Sequence, residues 1–397
     1  MRIDYVKARW LRFPIEAERQ HVSDFGRVSS FDALLVEIAT DTGIVGWGEG
    51  KNGAGSAGTY TALATLVNDE MGPSIVGRDP RDISVIWDDL YNGDRAVLAR
   101  QRGHVLPQLS RRGLTIAAIS AIDLALWDIL GKSLGAPVWR LLGGSRARRL
   151  PAYGSGGWAD SEQIGQQLRS YVDQYGVGAV KMRVGAMDGT VRTAAQRLIA
   201  AREGLGPDVE LMCDAHGSMT PAEAKRLCYL ARDCDLTWFE EPVGVDDEAG
   251  LAEVRQASHI PIAAGESAYT RYDFRSLIEH RAVDVLQPDL AVCGGLTEAR
   301  RIDALAATHN LEISPHMWAG AAAFAAGLHL ATASTSNRIV EFPLGYRPML
   351  DELITEPFTI RDGHVAVPEE PGLGIEIRRD VMDKFTVPDS RPSEEGA

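Results

Sequence analysis

The run VELMCDA, residues 209–215, shows the pattern that decides the fold, because an apolar strand-like stretch ends there at the carboxylate Asp214. The same form, a short apolar run with a polar end and a helical stretch after it, occurs eight times at a spacing of about 25 to 30 residues. The other seven runs are LPAYGSG (150–156), GAVKMRV (178–184), LTWFEEP (236–242), PIAAGE (261–266), VDVLQPD (283–289), LEISPH (311–316) and RIVEF (338–342).

This repetition predicts an α/β fold with a parallel sheet. A doubly wound open sheet would also alternate strands and helices. Eight near-regular units favour a closed (β/α)8-type (TIM) barrel instead. We expect the barrel to occupy residues 131–345.

The first 130 residues follow a different, α+β pattern. Strand-like runs at 31–39 and 43–49 are joined by Asp41-Thr42-Gly43, a hairpin-type connection. Helical spacing follows at 59–71 and, more strongly, at 114–131, where the pattern ends at Gly131.

After the eighth run the rhythm stops. Residues 346–380 contain two short strand-like runs around Asp362-Gly363, and we expect them to leave the barrel and return to the N-terminal part. The C-terminal segment would thus span 346–385. Residues 386–397 are polar and rich in proline and charge, and we expect a disordered tail.

Composition excludes several kinds of partner. Lys and Arg number 41 and Asp and Glu 55, which gives a net charge of −14 without basic runs. Such a chain is a poor partner for nucleic acid or an anionic membrane surface. The apolar stretch 319–333 is too short to span a bilayer. The four cysteines form no CxxC pair and the first residues lack a signal-peptide core, so we expect reduced thiols and a cytoplasmic location.

Three carboxylates end successive runs: Asp214, Glu240 and Glu266. Side chains at the carboxyl ends of barrel strands converge on one pocket. Magnesium is usually held by a few carboxylates together with water and substrate oxygens. One such carboxylate alone would more often cap a helix, but three buried together would be costly without a cation. We therefore expect one magnesium ion per site on these three residues.

Several motifs make the chain resemble the enolase superfamily, and within it the mandelate racemase subgroup of the mandelate racemase/muconate lactonizing enzyme family. Six of them lie in the barrel region: Lys181-Met182-Arg183, Cys213-Asp214-Ala215-His216, Trp238-Phe239-Glu240-Glu241-Pro242, Gly265-Glu266, Gln287-Pro288-Asp289 and Ser314-Pro315-His316. Two more, Gly46-Trp47-Gly48-Glu49 and Pro371-Gly372-Leu373-Gly374, extend the similarity over nearly the whole chain. Motifs in this order and spacing are specific for the superfamily and much less so for the substrate.

The resemblance implies a capping domain over the barrel, built from both chain ends, here residues 1–130 and 346–385. Its loops, at 15–28 and 50–60, would close over the substrate and set specificity. The resemblance also implies magnesium on the three carboxylates. The ion would bind the substrate carboxylate and stabilise the enolate formed when a base removes the α-proton.

His316 and Asp289 match the subgroup's His–Asp dyad. The carboxylate of Asp289 would orient the imidazole and stabilise its protonated form, which suits His316 to act as the general base. Either residue alone would more often be an ordinary side chain of the barrel rim. As a pair on adjacent strands they favour the catalytic interpretation.

Arg183 departs from the subgroup's pattern. Racemases carry Lys-x-Lys on the second strand, and the second lysine is the base on the opposite face of the substrate. Arginine stays protonated, so we do not expect two-base racemisation. Lys181 is retained and is expected to act electrostatically or by a hydrogen bond to the substrate carboxylate. Arg183 and Glu341 are expected to bind the substrate.

His216 lies two residues after Asp214, and the alternation of side chains along a strand places both on the same strand face. Sugar-acid dehydratases of the galactonate type have Asp-x-His there, with the histidine as general acid for the departing β-hydroxyl. The run Asp214-Ala215-His216-Gly217 resembles that pattern, as does Ala264-Gly265-Glu266 followed by Arg271-Tyr272-Asp273-Phe274. The alternative is a structural histidine turned into the loop.

The sequence thus favours a dehydratase that converts an aldonic or aldaric acid into a 2-keto-3-deoxy acid. His316 would be the base, and either His216 or the protonated His316 the acid. A lactone cycloisomerase is the alternative, because Pro315-His316-Met317-Trp318 resembles galactarolactone cycloisomerases, whose reaction expels a ring carboxylate and needs no second histidine. A barrel that binds ligand without turnover is a third interpretation. We expect a small hydroxy-carboxylate as partner and a homo-oligomer.

Overall fold

The computed structural model describes residues 1–23, 26–52, 60–104 and 111–388. The two loops expected to close over the substrate therefore lie partly outside the described residues, at 24–25 and 53–59. The expected disordered tail lies outside them from residue 389 onward.

A three-stranded antiparallel sheet forms the base of the N-terminal domain. The strands of this domain are β1 (Ile3–Pro14), β2 (His21–Ser23), β3 (Gly26–Val28), β4 (Ser30–Thr40) and β5 (Val45–Gly50). The sheet has the order β1-β4-β5, and β2 and β3 form a separate hairpin. β4 and β5 confirm the strands predicted at 31–39 and 43–49, and Gly43 adopts φ +82° in their connection.

Helices cover one face of this sheet. They are α1 (Thr61–Thr65) with a π-helical continuation (Leu66–Met71), α2 (Gly72–Ile75), α3 (Ile83–Asn92), α4 (Asp94–Gln101), α5 (Leu114–Leu134) and α6 (Val138–Leu141). The helices predicted at 59–71 and 114–131 are confirmed, but the predicted end at Gly131 is wrong. Gly131 lies inside α5, where a Cβ would come within 2.5 Å of the Cα of Gly372, so close packing and not helix termination accounts for this glycine. The helix ends instead at Gly135, which has the left-handed φ of +62°.

Glycines on β5 let the sheet approach α5 closely. Gly46, Gly48 and Gly50 face the helix, and a Cβ on Gly50 would lie 2.7 Å from the carbonyl oxygen of Ala117. A window of α5 is long and apolar enough to cross a membrane, with mean hydropathy 1.7, but 83% of that window is buried. A buried core helix passes the same test, so α5 is the packed centre between the sheet and the barrel.

Eight parallel strands close the barrel. They are β6 (Arg149–Ser155), β7 (Ala179–Arg183), β8 (Glu210–Asp214), β9 (Leu236–Glu240), β10 (Ile262–Ala264), β11 (Val285–Leu286), β12 (Glu312–Ile313) and β13 (Val340–Pro343). Neighbours pair in sequence order from β6 to β12, and β13 pairs with β6. The seam between β12 and β13 is joined by a single bridge, from Ile313 to Asn337. All eight predicted units are confirmed.

The helices of the barrel alternate with its strands. They are α7 (Ile164–Tyr175), α8 (Val191–Leu205), α9 (Pro221–Leu230), α10 (Glu248–Ala257), α11 (Thr270–Glu279), α12 (Gly295–Thr308) and α13 (Ala321–Ala333). Inside the barrel, an apolar layer takes one side chain from nearly every strand. Its members are Tyr153, Ala179, Met212, Trp238, Ala263, Val285 and Ile339.

The C-terminal segment does not return to the N-terminal domain as a whole. It contains α14 (Pro348–Asp351), β14 (Ile360–Arg361), β15 (His364–Ala366) and α15 (Arg379–Phe385). The predicted strands around Asp362-Gly363 are present, but β15 pairs with β6 of the barrel, so their expected return was wrong. α15 makes the return: Phe385 packs on Phe13 of β1, with ring centroids 4.2 Å apart. The domain limits remain predictions, although residue 130 falls inside α5.

Candidate active site

The strand ends bring the predicted carboxylates to one end of the barrel. Asp214 is the last residue of β8 and Glu240 the last of β9, and the two are in register. Glu266 follows β10 after Gly265, which has a φ of +132°. All three side chains are buried. Parallel strands therefore place these groups close together, as the repeat predicted.

His316 and Asp289 form a buried hydrogen-bonded pair. Nδ1 of His316 lies 2.8 Å from Oδ2 of Asp289, and the other oxygen, Oδ1, accepts from the backbone N of Ala291 at 2.8 Å. Burial acts to raise the pKa of Asp289, but Lys51 and His316 outweigh it and lower that pKa. Burial lowers the pKa of His316, but Glu266 outweighs it and raises that pKa. Because an ionised carboxylate can only accept, Nδ1 carries the proton and Nε2 is directed to the pocket.

Glu266 lies between two imidazoles. Nε2 of His316 is 3.3 Å from Oε2 of Glu266, and Nε2 of His216 is 3.8 Å from Oε1. His216 also lies 3.9 Å from Oδ2 of Asp214. The expectation that His216 shares the strand face of Asp214 was wrong. β8 ends at Asp214, and His216 stands in the following turn with a φ of +45°, its backbone N donating to Asp214 Oδ1. This turn, and not strand alternation, returns the imidazole to the site.

Lys181 lies beneath the pocket. Its Nζ is 2.6 Å from Oε1 of Glu240, 2.9 Å from Oε1 of Glu341 and 3.5 Å from Oδ2 of Asp214. These carboxylates hold the pKa of Lys181 well above its usual range although burial opposes it. The backbone N of Met317 donates to Oε2 of Glu341 at 2.8 Å. Lys181 and Glu341 thus contact each other and do not line the pocket.

Arg183 does line the pocket. It ends β7 and pairs with Asp214 through Nη1 and Oδ2. Burial would raise the pKa of Asp214, but Arg183, followed by His216 and Lys181, holds that pKa below its ordinary value. The arginine at this position therefore keeps one predicted metal ligand ionised.

The residues that could hold a metal ion differ in one member from the predicted set. Ligand atoms of Asp214, His216 and Glu266 all lie within 4.8 Å of one another. Glu240 is engaged elsewhere, because Lys181 and Gln287 hold its two oxygens, the latter at 2.7 Å. The structure therefore brings Asp214 and Glu266 together with His216, and Glu240 as a ligand stays a prediction.

The charges of the site fit a cation. Six buried carboxyl groups stand near or just beyond the ends of the barrel strands, from Asp214, Glu240, Glu241, Glu266, Asp289 and Glu341. Among the described residues, three permanently charged side chains lie within 4.0 Å of them: Lys51, Lys181 and Arg183.

Carboxyl groups thus outnumber the cations around them, and two of these carboxyl groups have raised pKa values. Burial, reinforced by Asp214, raises the pKa of Glu240 to about 7 even with Lys181 beside it. Burial, reinforced by Glu266, holds the pKa of Glu241 well above its usual range. Oε1 of Glu241 and Oε2 of Glu266 have no hydrogen-bond partner in the described part of the chain. A hard cation with oxygen ligands would supply the missing positive charge.

The pocket above these groups has an aromatic wall and a few polar residues. Its apolar lining is Val28, Phe31, Ala33, Trp158, Trp318, Ala319, Pro343, Tyr346, Pro348, Met349 and Leu350. Its polar lining is Asp32, Glu49, Lys51, Arg183, His216, Glu266, His316 and Arg347. Trp158 and Trp318 meet edge to face, with ring centroids 5.8 Å apart. The N-terminal domain and the barrel thus build the pocket together.

Sequence reasoning missed four polar residues of the pocket: Asp32, Glu49, Lys51 and Arg347. Glu49 and Lys51 belong to the end of β5 and its continuation, and both are buried. Glu49 was part of a quoted motif, but nothing in the motif assigns it a task. Lys51 carries no local signal, because its contacts cross from one domain to the other. Gln287, which holds Glu240, was likewise quoted without a task.

A closed barrel, a capping domain and a buried cluster of carboxylates and histidines define a barrel enzyme whose active site lies at the domain interface. Residues 9–143 match the mandelate racemase/muconate lactonizing enzyme N-terminal domain, and residues 163–381 match the enolase C-terminal domain-like family. The chain belongs to the mandelate racemase/muconate lactonizing enzyme family of the enolase superfamily.

Three relatives show how far the similarity extends. The D-galactarolactone cycloisomerase of Agrobacterium fabrum is 36% identical over 369 residues, which cover 90% of this chain and 92% of the relative. The arabinonate dehydratase of Saccharolobus solfataricus is 32% identical, with coverage of 89% and 90%. A crystal structure of the 3,6-anhydro-D-galactonate cycloisomerase from Zobellia galactanivorans superposes with a TM-score of 0.83 at 30% identity, with coverage of 98% and 100%.

Proposed function

We propose that this protein is a magnesium-dependent dehydratase of aldonic or aldaric sugar acids. It removes the proton α to the substrate carboxylate, expels the β-hydroxyl as water and yields a 2-keto-3-deoxy acid. A small hydroxy-carboxylate is the proposed partner, which the sugar-acid dehydratases among the relatives support. We also propose that the protein is a homo-oligomer and that it is cytoplasmic. Its four free, buried cysteines fit a reducing compartment.

One observation carries this proposal: two imidazoles reach the pocket from different strand ends and meet the same carboxylate. His316 approaches one oxygen of Glu266 and His216 the other, at 3.3 and 3.8 Å. A dehydratase needs a base at the α-carbon and an acid at the β-oxygen of one substrate. Two histidines on either side of one point offer both groups.

The proposed metal ligands are Asp214, Glu240 and Glu266. When bound, magnesium would supply positive charge that stabilises the negative charge developing on the deprotonated substrate. Glu240 would have to leave its contacts with Lys181 and Gln287 in part, or share its oxygens with them. His216 would then be left to its proposed task as an acid.

His316 would take the α-proton at Nε2. Asp289 fixes the ring through Nδ1 and supports the positive charge that the imidazole acquires. Burial of both groups excludes water, so that the proton passes from the substrate carbon to the ring. The electron pair of the C–H bond moves into the carboxylate system of the substrate.

His216 would complete the reaction. The electron pair of the enolate would form the Cα–Cβ double bond as the Cβ–O bond breaks, and the departing oxygen would take its electron pair and a proton from His216 to leave as water. The resulting enol then tautomerises to the 2-keto acid. Arg183, which lines the pocket, would bind a substrate oxygen, whereas Lys181 and Glu341 would act from beneath, Lys181 through its positive charge.

A lactone cycloisomerase is the second candidate, and the pocket wall favours it. The aromatic side chains of Phe31, Trp158, Trp318 and Tyr346 offer apolar faces suited to the C–H face of a compact ring. The D-galactarolactone cycloisomerase is also among the relatives. Such a reaction expels a carboxylate, which needs much less help from an acid than hydroxide does.

Mass spectrometry of a substrate library separates the two. The protein is incubated with magnesium and D-galactonate, arabinonate, D-xylonate or D-galactarolactone. A 2-keto product lighter than its substrate by one water supports dehydration, and a keto acid with the mass of the lactone supports cycloisomerisation. A lack of both products and of α-proton exchange would overturn the proposal.

The variant His216→Asn tests whether the second imidazole of the site is the general acid. As a dehydratase, the variant should lose turnover by about 10²–10⁴-fold and still exchange the α-proton with solvent deuterium, because the His316–Asp289 pair is intact. Turnover near that of the wild type would make His216 structural and favour the lactone reaction. His309→Asn, an exposed histidine of the barrel, is the matched control.

A further inference from the structure

The tripeptide Glu49-Gly50-Lys51 at the end of β5 contacts both barrel loops that carry the dyad. Oε1 of Glu49 accepts from the backbone N of Gly320 at 2.5 Å, in the loop after His316. The backbone N of Lys51 donates to the carbonyl oxygen of Ala291 at 3.2 Å, in the loop after Asp289. One short strand end from the N-terminal domain thus braces both loops.

The side chain of Lys51 reaches the dyad itself. Its Nζ lies 3.5 Å from Oδ2 of Asp289, the same oxygen that lies 2.8 Å from Nδ1 of His316. The backbone N of Ala291 holds the other oxygen. Asp289 is therefore fixed by a barrel amide on one oxygen and by Lys51 and His316 on the other.

Burial makes this ammonium group costly unless it is paired. Lys51 is 7% exposed, and Asp289 is the only carboxylate within 4.0 Å of its Nζ in the described ranges. A buried lysine without a partner would be strongly destabilising. Asp289 is therefore the ion-pair partner of Lys51, although the side chain of Lys51 also borders the pocket and its charge favours the ionised forms of Glu49 and Glu266.

Three other groups surround Asp289. His316 lies at its Oδ2, the buried carboxyl of Glu49 repels it, and Cys293 lies in the same loop. The positive charge of Lys51 opposes this repulsion, because it favours the ionised forms of both Asp289 and Glu49.

We propose that Lys51 is a positioning residue, supplied by the N-terminal domain, which holds the carboxylate of Asp289 in place so that this carboxylate keeps the ring of His316 oriented through Nδ1. The general base that the barrel supplies therefore depends on a side chain of the N-terminal domain. This inference rests on the proposed function of His316 as the base.

Nitrogen NMR of the histidine rings tests the proposal without a substrate. The chain has nine histidines, so ¹⁵N-labelled imidazoles give a small set of signals, and His316→Asn identifies those of His316. At one fixed pH, Lys51→Met should shift both ring nitrogens of His316, and Lys51→Arg should largely restore them. Lys7→Met, an exposed lysine of the same domain, should leave them unchanged.

Kinetics separate positioning from substrate binding. With the sugar acid that the library identifies, Lys51→Met should lower kcat and α-proton exchange by about 10–100-fold, a part of the usual general-base contribution, with KM changed less than about threefold. Lys51→Arg should recover most of both rates. If KM rises and exchange at saturation is normal, Lys51 binds substrate and the proposal is overturned.

The remaining outcomes are also decisive. Unchanged His316 signals in a folded Lys51→Met protein would overturn the proposal, whatever the activity. Loss of folding in both Lys51→Met and Lys51→Gln, followed by circular dichroism, would make the role structural and overturn it too. Exchange that persists in His316→Asn would instead contradict the proposed function, and the NMR result for Lys51 would still stand on its own.

Discussion

Two layers inside the barrel differ in composition although the same strands build them. Met212 and Trp238 belong to the apolar layer, and Asp214 and Glu240 stand two residues further along the same strands. The same step of two leads from Ala179 to Lys181, from Val285 to Gln287 and from Ile339 to Glu341. Strand alternation makes residues i and i+2 face the same way, so each polar group sits one level above an apolar one.

The comparison teaches how the site obtains its strength. The apolar layer closes the barrel from below and keeps water from the carboxylates. Charges in such a dry environment interact far more strongly than in water. Trp238 joins the layers directly, because its Nε1 lies 3.3 Å from Oε2 of Glu240. The proposed chemistry of the polar layer therefore depends on the apolar layer beneath it.

The largest expected effect comes from removing the proposed general base, His316, which stands at the same end of the barrel as the polar layer. His316→Asn should abolish turnover and deuterium exchange at the α-carbon, a loss of at least about 10²–10⁴-fold, while stability changes little. Asp289→Asn should lose most of both, because the imidazole is then poorly oriented. Proton NMR of the substrate in deuterium oxide measures the exchange. Exchange persisting in His316→Asn would place the base elsewhere, with Lys181 the next candidate.

The next effect breaks the apolar layer. Trp238→Ala leaves a cavity beneath Glu240 and should lower the free energy of unfolding by about 3–5 kcal/mol. Urea unfolding followed by circular dichroism measures this change. Tyr229→Ala, at a side chain that is 59% exposed, serves as the control. A loss below about 1 kcal/mol in Trp238→Ala would show that the apolar layer contributes little to the stability of the fold.

Removal of metal should sharpen the contrast between the layers. An ion that binds only the folded chain stabilises it by about 2.7 kcal/mol at 100 times its dissociation constant. Chelation should therefore abolish turnover and lower the melting temperature, and magnesium should restore both. In Asp214→Asn the melting temperature should no longer respond to magnesium. Full activity in excess EDTA, with metal content confirmed as zero, would refute the metal requirement.

The smallest effect concerns a buried polar group outside both layers. Nδ1 of His329, in α13, accepts from the backbone N of Trp139, and Nε2 lies 3.2 Å from the carbonyl oxygen of Leu373. Burial lowers the pKa of His329 from 6.5 to about 4. Between these values the unfolded chain binds a proton that the folded chain does not, so stability falls as pH falls.

For this single group the loss between pH 6.5 and 5.5 should be about 1 kcal/mol. Urea unfolding of the wild type and of His329→Gln at both pH values isolates it, because the other titrating groups are shared. The variant should lose that share of the pH dependence. Equal slopes in both proteins would mean that His329 titrates normally.

The sequence predicted the elements that repeat along the chain. Eight apolar runs with polar ends suffice to locate Asp214, Glu240 and Glu341, because strand alternation and the barrel rule are local. The turn that returns His216 to the site was not predicted, since its φ of +45° has no sequence signal beyond the following Gly217.

Contacts between distant parts of the chain were out of reach. Lys51 meets Asp289 across the domain interface, and Glu49 meets Gly320 in the same way. No periodicity connects such positions, because their partners are set by how two separately built domains dock. The strands at 360–366 show the same limit, since their existence was predicted but their pairing with β6 was not.

The glycine face of β5 has a consequence for how this protein can change. Substitution at Gly46 or Gly48 would drive a side chain into the backbone of α5, and would move the strand end that carries Glu49 and Lys51. These two glycines of β5 should therefore tolerate no substitution, whichever substrate the enzyme uses. Positions such as Phe31 and Met349 border the pocket and carry no group that the proposed reaction uses. A mutational library aimed at a new sugar acid should therefore be built at such pocket-lining positions and should leave the glycines of β5 unchanged.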